Sequence, residues 1–152
     1  MAPRWVIKAF LIVSFVGFWD ALYLTVLHYQ GIPPTCSIFQ GCQQVAASPY
    51  AVIWGVPVAL LGVLYYLTVF LLILIHLLVS EGSSAGRWVR WVRSRLIIWV
   101  SRLTVIGFLF SLWLVYLQLF VIKSICLYCM ISAATSTVLF VLGMVVMKKR
   151  VK

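Results

Sequence analysis

Acidic side chains are nearly absent from this chain: its 152 residues include two, Asp20 and Glu81, and charged residues of either sign make up 9%. So few charges, set against 65% hydrophobic residues, exclude an ordinary soluble domain, because there is too little polar surface to cover the apolar remainder. Also missing are a glycine-rich phosphate loop, a serine-hydrolase constellation and any internal repeat, so nucleotide hydrolysis, triad chemistry and solenoid architecture drop out. Cysteine is scarce too, at four residues, yet two of them stand three apart in the greasy stretch "KSICLYCMIS" at 123–132.

In place of a soluble pattern the sequence has four apolar stretches, near residues 5–29, 50–79, 96–122 and 126–147. Each reaches or approaches the roughly 20 residues that a hydrocarbon core of about 30 Å asks of a helix. The first could pass for a secretory signal, since Arg4 and Lys8 precede it, but it runs on through Tyr23, Leu27 and Tyr29 with no small-residue cleavage site. The expected architecture is therefore an all-α integral membrane protein, a single four-helix bundle over residues 1–152. The second stretch is longer than a span needs. Gly55 and Pro57 mark its first turns, where proline is tolerated, and "SPYAVIW" ahead of them is expected to form a short separate helix.

A formal charge of +10 would point to nucleic acid in a soluble protein, but the distribution points elsewhere. Arg4 and Lys8 precede the first span, five arginines from Arg87 to Arg102 flank the second connection, and Lys148, Lys149, Arg150 and Lys152 follow the last span. The positive-inside rule puts all of these, and both termini, in the cytoplasm, with contact to anionic lipid and no nucleic acid. Lys123 is the basic residue left for the outer face. Trp5, Trp88 and Trp91 fit an aromatic belt at the inner boundary, and "SEGSSAG" at 80–86 reads as a flexible inner turn.

That topology places Cys36 and Cys42, in the first loop, and Cys126 and Cys129, opening the fourth helix, on one non-cytoplasmic side, where disulfides persist. Cys36 and Cys42 are separated by "SIFQG", which lets them bond locally or part to meet other thiols. Cys126 and Cys129 form a C-x-x-C at a helix start, where free amides and the helix dipole favour a thiolate. Ser124 is the expected N-cap and Lys123 adds a nearby positive charge. At about 1.5 Å rise per residue the second sulfur lies roughly 4.5 Å deeper, so Cys126 is expected to face the loop and Cys129 the bilayer. Two thiol pairs at different depths describe an electron route: the outer pair exchanges with the inner one, and the inner one discharges to a lipid-soluble quinone. Two permanent disulfides stapling a tetraspan scaffold, and a zinc site built from four sulfurs, are the other arrangements this spacing permits.

The loop pair Cys36 and Cys42, "SPYAVIWGVPVALLG" from Ser48 to Gly62, "CLYC" at the last helix and "YLTVLHY" at Tyr23–Tyr29 together resemble the membrane core of the vitamin K epoxide reductase family. The resemblance spans nearly the whole chain. It implies a four-helix bundle around a quinone, capped on the outer side by the first loop. It also implies roles: Cys36 exchanges with a thioredoxin-like protein, Cys42 relays to Cys126, Cys129 reduces the quinone, and Ser48 assists near the active pair. Where animal members carry a Thr-Tyr pair this chain has Ser132 and Ala133, and its loop-cysteine spacing is narrower, so vitamin K epoxide reduction is not the expected natural task; disulfide formation is, with vitamin K or naphthoquinone reduction as the alternative. The chain stops at "MKKRVK" without the fused thioredoxin-like domain of many microbial members, which implies a separate redox partner and the plasma membrane of a microbe.

Other residues enter as candidates. Trp54 and Tyr116 are expected to wall the quinone ring, and His28 to donate a proton to it or tune a thiolate. Asp20, an acid inside a span, can buffer quinone protons or serve structure as a neutral hydrogen-bonded group. His76 is expected at the inner interface. No metal ligand set is expected.

Overall fold

The computed structural model describes residues 4–36, 41–81 and 86–151. Residues 37–40 and 82–85, which carry most of the "SIFQG" link and of the inner "SEGSSAG" turn, lie outside the described residues, as do the side chains of Arg87, Trp88, Arg90 and Arg93.

Four long helices dominate: α1 (Arg4–Gln30), α3 (Val58–Glu81), α4 (Arg87–Tyr116) and α5 (Leu127–Val151), with the short α2 (Cys42–Ala46) between the first two. Each long helix is long and apolar enough to cross a membrane, so the protein is a multi-pass membrane protein. In cross-section α1 packs on α3 and α5, and α4 closes the ring against α3 and α5. Glycines permit the close approaches. A Cβ on Gly17 of α1 would lie 2.3 Å from the Tyr66 ring of α3, and one on Gly107 of α4 would lie 2.4 Å from the Tyr65 ring. The core formed by Phe10, Val63, Tyr66, Val69 and Leu139 is apolar, while the outward faces expose Ile12, Phe15, Leu64, Leu109 and Val141, as a lipid-facing surface requires.

α1 ends in a Schellman motif. Gly31, at φ 66°, takes the left-handed conformation, its N–H donates to the His28 carbonyl, and Ile32 N–H donates to the Leu27 carbonyl. This turns the chain back over the bundle end. Beyond α2, the short separate helix expected in "SPYAVIW" is present but confined to its first residues. Pro49–Ala51 makes one 3₁₀ turn, and the strands β1 (Val52–Ile53) and β2 (Val56–Pro57) pair antiparallel. The tip, Trp54 and Gly55, has positive φ at both positions (51° and 80°), the requirement of a type I′ turn. The second span consequently starts at Val58 rather than near 50, while the third runs over Ser94–Ile122, close to the expected 96–122, with the arginine-rich lead-in continuing its helix back to Arg87.

The last turns of α4 widen over Leu117–Ile122, where bonds reach one residue further back than in an α-helix. Lys123, left-handed at φ 54°, ends the segment, and both its N–H and that of Ser124 donate to the Gln118 carbonyl. At the opposite end of the bundle a small crevice joins Val6, His76, Ile97 and Val146, so the start of α1, the end of α3, the start of α4 and the end of α5 meet there. His76, near the end of α3, is buried in that crevice, 4% exposed.

Candidate active site

The four cysteines gather at the bundle end away from the crevice. Cys36 and Cys42 form a disulfide with Cα atoms 6.0 Å apart, and Cys126 and Cys129 are free thiols. Cys42 opens α2 and is buried, as is Cys126, while Cys36 and Cys129 are half-buried. What brings the pairs together is backbone packing. A Cβ on Gly41 would lie 2.7 Å from both the amide nitrogen and the carbonyl oxygen of Ile125, a contact only glycine allows. Cys42 and Cys126 are the next residues along these two touching stretches of chain. Ser124 Oγ adds a hydrogen bond to Gln44 Oε1 of α2. The expected N-cap is therefore occupied elsewhere. Cys126 itself takes that place: its carbonyl accepts from Met130 N–H, and its sulfur accepts from the Tyr128 and Cys129 amides.

This environment lowers the Cys126 thiol to about 7, first through a hydrogen bond from the Cys129 side chain and then through the two helix amides, with burial opposing them. Gln118 supports the turn from below. It is 3% exposed, and its side-chain Oε1 accepts the Cys126 N–H at 3.1 Å.

Behind the cysteine pair opens a cavity of about 540 Å³, walled by all four long helices and roofed by residues of α2 and the loop around it. Cys126 and Cys129 both lie on its wall, so Cys129 faces this space between the helices. Leu24, Leu103, Ile106, Phe110 and Leu114 make it mostly apolar, and its size suits a substituted ring. Three buried side-chain oxygens on the wall have no partner in hydrogen-bond geometry among the described residues: Asp20 Oδ2, Tyr65 Oη and Ser136 Oγ. An apolar space with spare polar groups fits a quinone, whose two oxygens accept hydrogen bonds. Neighbouring Tyr66 is by contrast satisfied, its hydroxyl donating to the Ser132 carbonyl at 2.8 Å and lying 2.8 Å from Thr135 Oγ1.

Of the other expected residues, His28 and Ser48 line the cavity, the Ser48 hydroxyl donating to the Val45 carbonyl at 2.7 Å. Trp54 and Tyr116 are not on its wall. Trp54 is 99% exposed, because α3 begins four residues later and leaves it on the turn; Tyr116 is half exposed and stacks on Phe120 away from the cavity. The aromatic side chains on the cavity wall are instead Tyr50, Tyr65, Tyr66 and Phe110. For α4 the signal is present as spacing: Leu103, Ile106, Gly107, Phe110, Ser111 and Leu114 recur at helical intervals, and Tyr116 falls off that stripe. Among the described residues no group of three or more His, Cys, Asp or Glu is placed to hold a metal ion.

No curated protein matches the chain at a significant level. The family model described as Vitamin K epoxide reductase family matches residues 8–144, most of the chain, and the protein belongs to that family.

Proposed function

We propose that this protein is a quinone-linked thiol-disulfide oxidoreductase that draws electrons from a dithiol protein outside the membrane and supports disulfide formation there. Members of the family are oxidoreductases acting on quinone or vitamin K substrates. The observation that carries the finer reading is the seating of the Cys42 end of the loop disulfide on the Ile125–Cys126 backbone, with Cys126 and Cys129 opening in turn onto the apolar cavity.

In this reading a partner thiolate attacks Cys36, breaking its bond to Cys42, and the partner's second thiol releases Cys36 as the partner becomes a disulfide. Cys42 then attacks Cys126 of an oxidised Cys126–Cys129 pair and frees Cys129; Cys36 returns to Cys42, and the inner pair is left as two thiols. A bound quinone supplies a two-electron, two-proton acceptor. Cys129, deeper on the wall, faces it, and closure of the Cys126–Cys129 bond gives up the electrons. The low pKa of Cys126 makes it a good leaving group in the exchange and a ready nucleophile in the closure. The basic residues at the far end of the bundle support a non-cytoplasmic side for the cysteines, in this reading of a microbial plasma membrane, with a separate thioredoxin-like protein as electron donor and Ser48 and His28 beside the substrate.

The test is to combine Cys36→Ser with Cys129→Ser and look for a Cys42–Cys126 disulfide by peptide mapping, alongside anaerobic mixing of the reduced wild-type protein with ubiquinone and menaquinone analogues. Accumulation of that cross-link and loss of quinone absorbance are expected. Absence of both would leave a disulfide-stapled scaffold.

A further inference from the structure

Native interiors leave few polar atoms unpaired, since each one buried without a partner forfeits the hydrogen bonds it made to water. Here three such oxygens, on three different helices, share one cavity: Asp20 Oδ2 from α1, Tyr65 Oη from α3 and Ser136 Oγ from α5. Local accidents would scatter them. Asp20 is moreover an ionisable group inside a span, where such residues are retained for a task.

Their placement is specific. Ser136 lies seven residues beyond Cys129 on α5, two helical turns deeper, at about 1.5 Å per residue. Tyr65 is held by contact with Gly107, where any Cβ would collide with its ring, so its hydroxyl is fixed on the wall rather than free to turn away. Tyr65 Oη and Ser136 Oγ are close enough to interact but do not meet in hydrogen-bond geometry, so with both oxygens held in place their O–H bonds can still rotate toward a shared acceptor. Asp20 is near enough to both Cys126 and Cys129 to interact with them electrostatically. Tyr66, which would be its obvious structural partner, is already bonded to Ser132 and Thr135.

We propose that Asp20, Tyr65 and Ser136 form a polar subsite for a ring oxygen of the quinone, with the hydroxyls of Tyr65 and Ser136 orienting that oxygen and the Asp20 carboxyl delivering a proton to it. This rests on the quinone-linked reading given above. The balance closes: two thiols become one disulfide and lose two electrons and two protons; the ring gains both electrons, one oxygen is protonated from the cysteine side, and the other takes the Asp20 proton, which the second thiol proton replaces. Asp20 thus ends the turnover as it began, and no further reductant or acid is needed.

The test uses the full-length protein in lipid nanodiscs with a short-chain ubiquinone as probe. Infrared difference spectra on adding the quinone should show a protonated-carboxyl band that moves on binding, is absent in Asp20→Asn and is present in Asp20→Glu. Asp20→Asn should slow hydroquinone formation at least about a hundredfold, the lower end of what a positioned acid contributes, while exchange between Cys36–Cys42 and an added dithiol stays at the wild-type rate. Tyr65→Phe combined with Ser136→Ala should weaken quinone binding, followed by tryptophan fluorescence, about tenfold, the loss of one to two hydrogen bonds. Equal quinone reduction by wild type and Asp20→Asn, or a carboxyl band unmoved by quinone, overturns the proposal. A wild-type protein that binds the quinone and moves the band but never reduces it supports the subsite and sinks the redox reading instead.

Discussion

Replacing Cys129 by alanine tests how the structure tunes Cys126. The Cys126 thiol stands at about 7 chiefly because the Cys129 side chain donates a hydrogen bond to its sulfur. A hydrogen bond to a charged group is worth about 1.5–3 kcal/mol, and one pKa unit corresponds to about 1.36 kcal/mol, so removing the donor should raise Cys126 by roughly one to two units. The bond stabilises the thiolate, so its loss means that a higher pH is needed to form that thiolate. At pH 7 the thiolate fraction should fall from about one half to between roughly a tenth and a hundredth. The assay is the pH dependence of iodoacetamide labelling with Cys36 and Cys42 held in their disulfide, read by mass spectrometry at Cys126. The half-point should move from about 7 in the wild type to between roughly 8 and 9 in Cys129→Ala, with labelling at pH 7 slowed about 5- to 50-fold. A half-point unchanged in Cys129→Ala would show that the Tyr128 and Cys129 amides hold the thiolate alone, and the reasoning would fail.

The packing sets two further outcomes. Gln118→Leu leaves the buried Cys126 N–H without its acceptor and should cost about 1–3 kcal/mol, read as a lower midpoint of thermal unfolding in detergent. Gly107→Ala forces a methyl group into the Tyr65 ring and should destabilise by about 1–3 kcal/mol while weakening quinone binding in the fluorescence titration, since the displaced ring belongs to the cavity wall.

The spans and the clustering of the cysteines are legible in the sequence because both depend on local properties: runs of apolar residues long enough for a bilayer, and loop positions that alternate between its two sides. The start of the second span is not, since the apolar residues that end "SPYAVIW" run on into those of the helix, and it is the positive φ of Trp54 and Gly55 that breaks the run. Ser124 has the ordinary preference for a helix cap, but the tertiary bond to Gln44 claims its hydroxyl, and a cysteine sulfur fills the vacated role. The ring wall departs from expectation for a related reason. Aromatic character marks Trp54 and Tyr116, whereas the inner face of α4 is written in the interval from Leu103 through Gly107 to Leu114. The meeting of Asp20, Tyr65 and Ser136 rests on helix rotation and neighbour order, which single-chain periodicity does not set.

Gln44 and Ser124, whose side chains clasp the loop helix to the last turn, are 80 positions apart in the chain. During synthesis the loop therefore emerges long before the surface that receives it. Until the last span has been made, α2 lacks the turn on which Gln44 bonds, so the seating of the loop helix waits for the whole bundle.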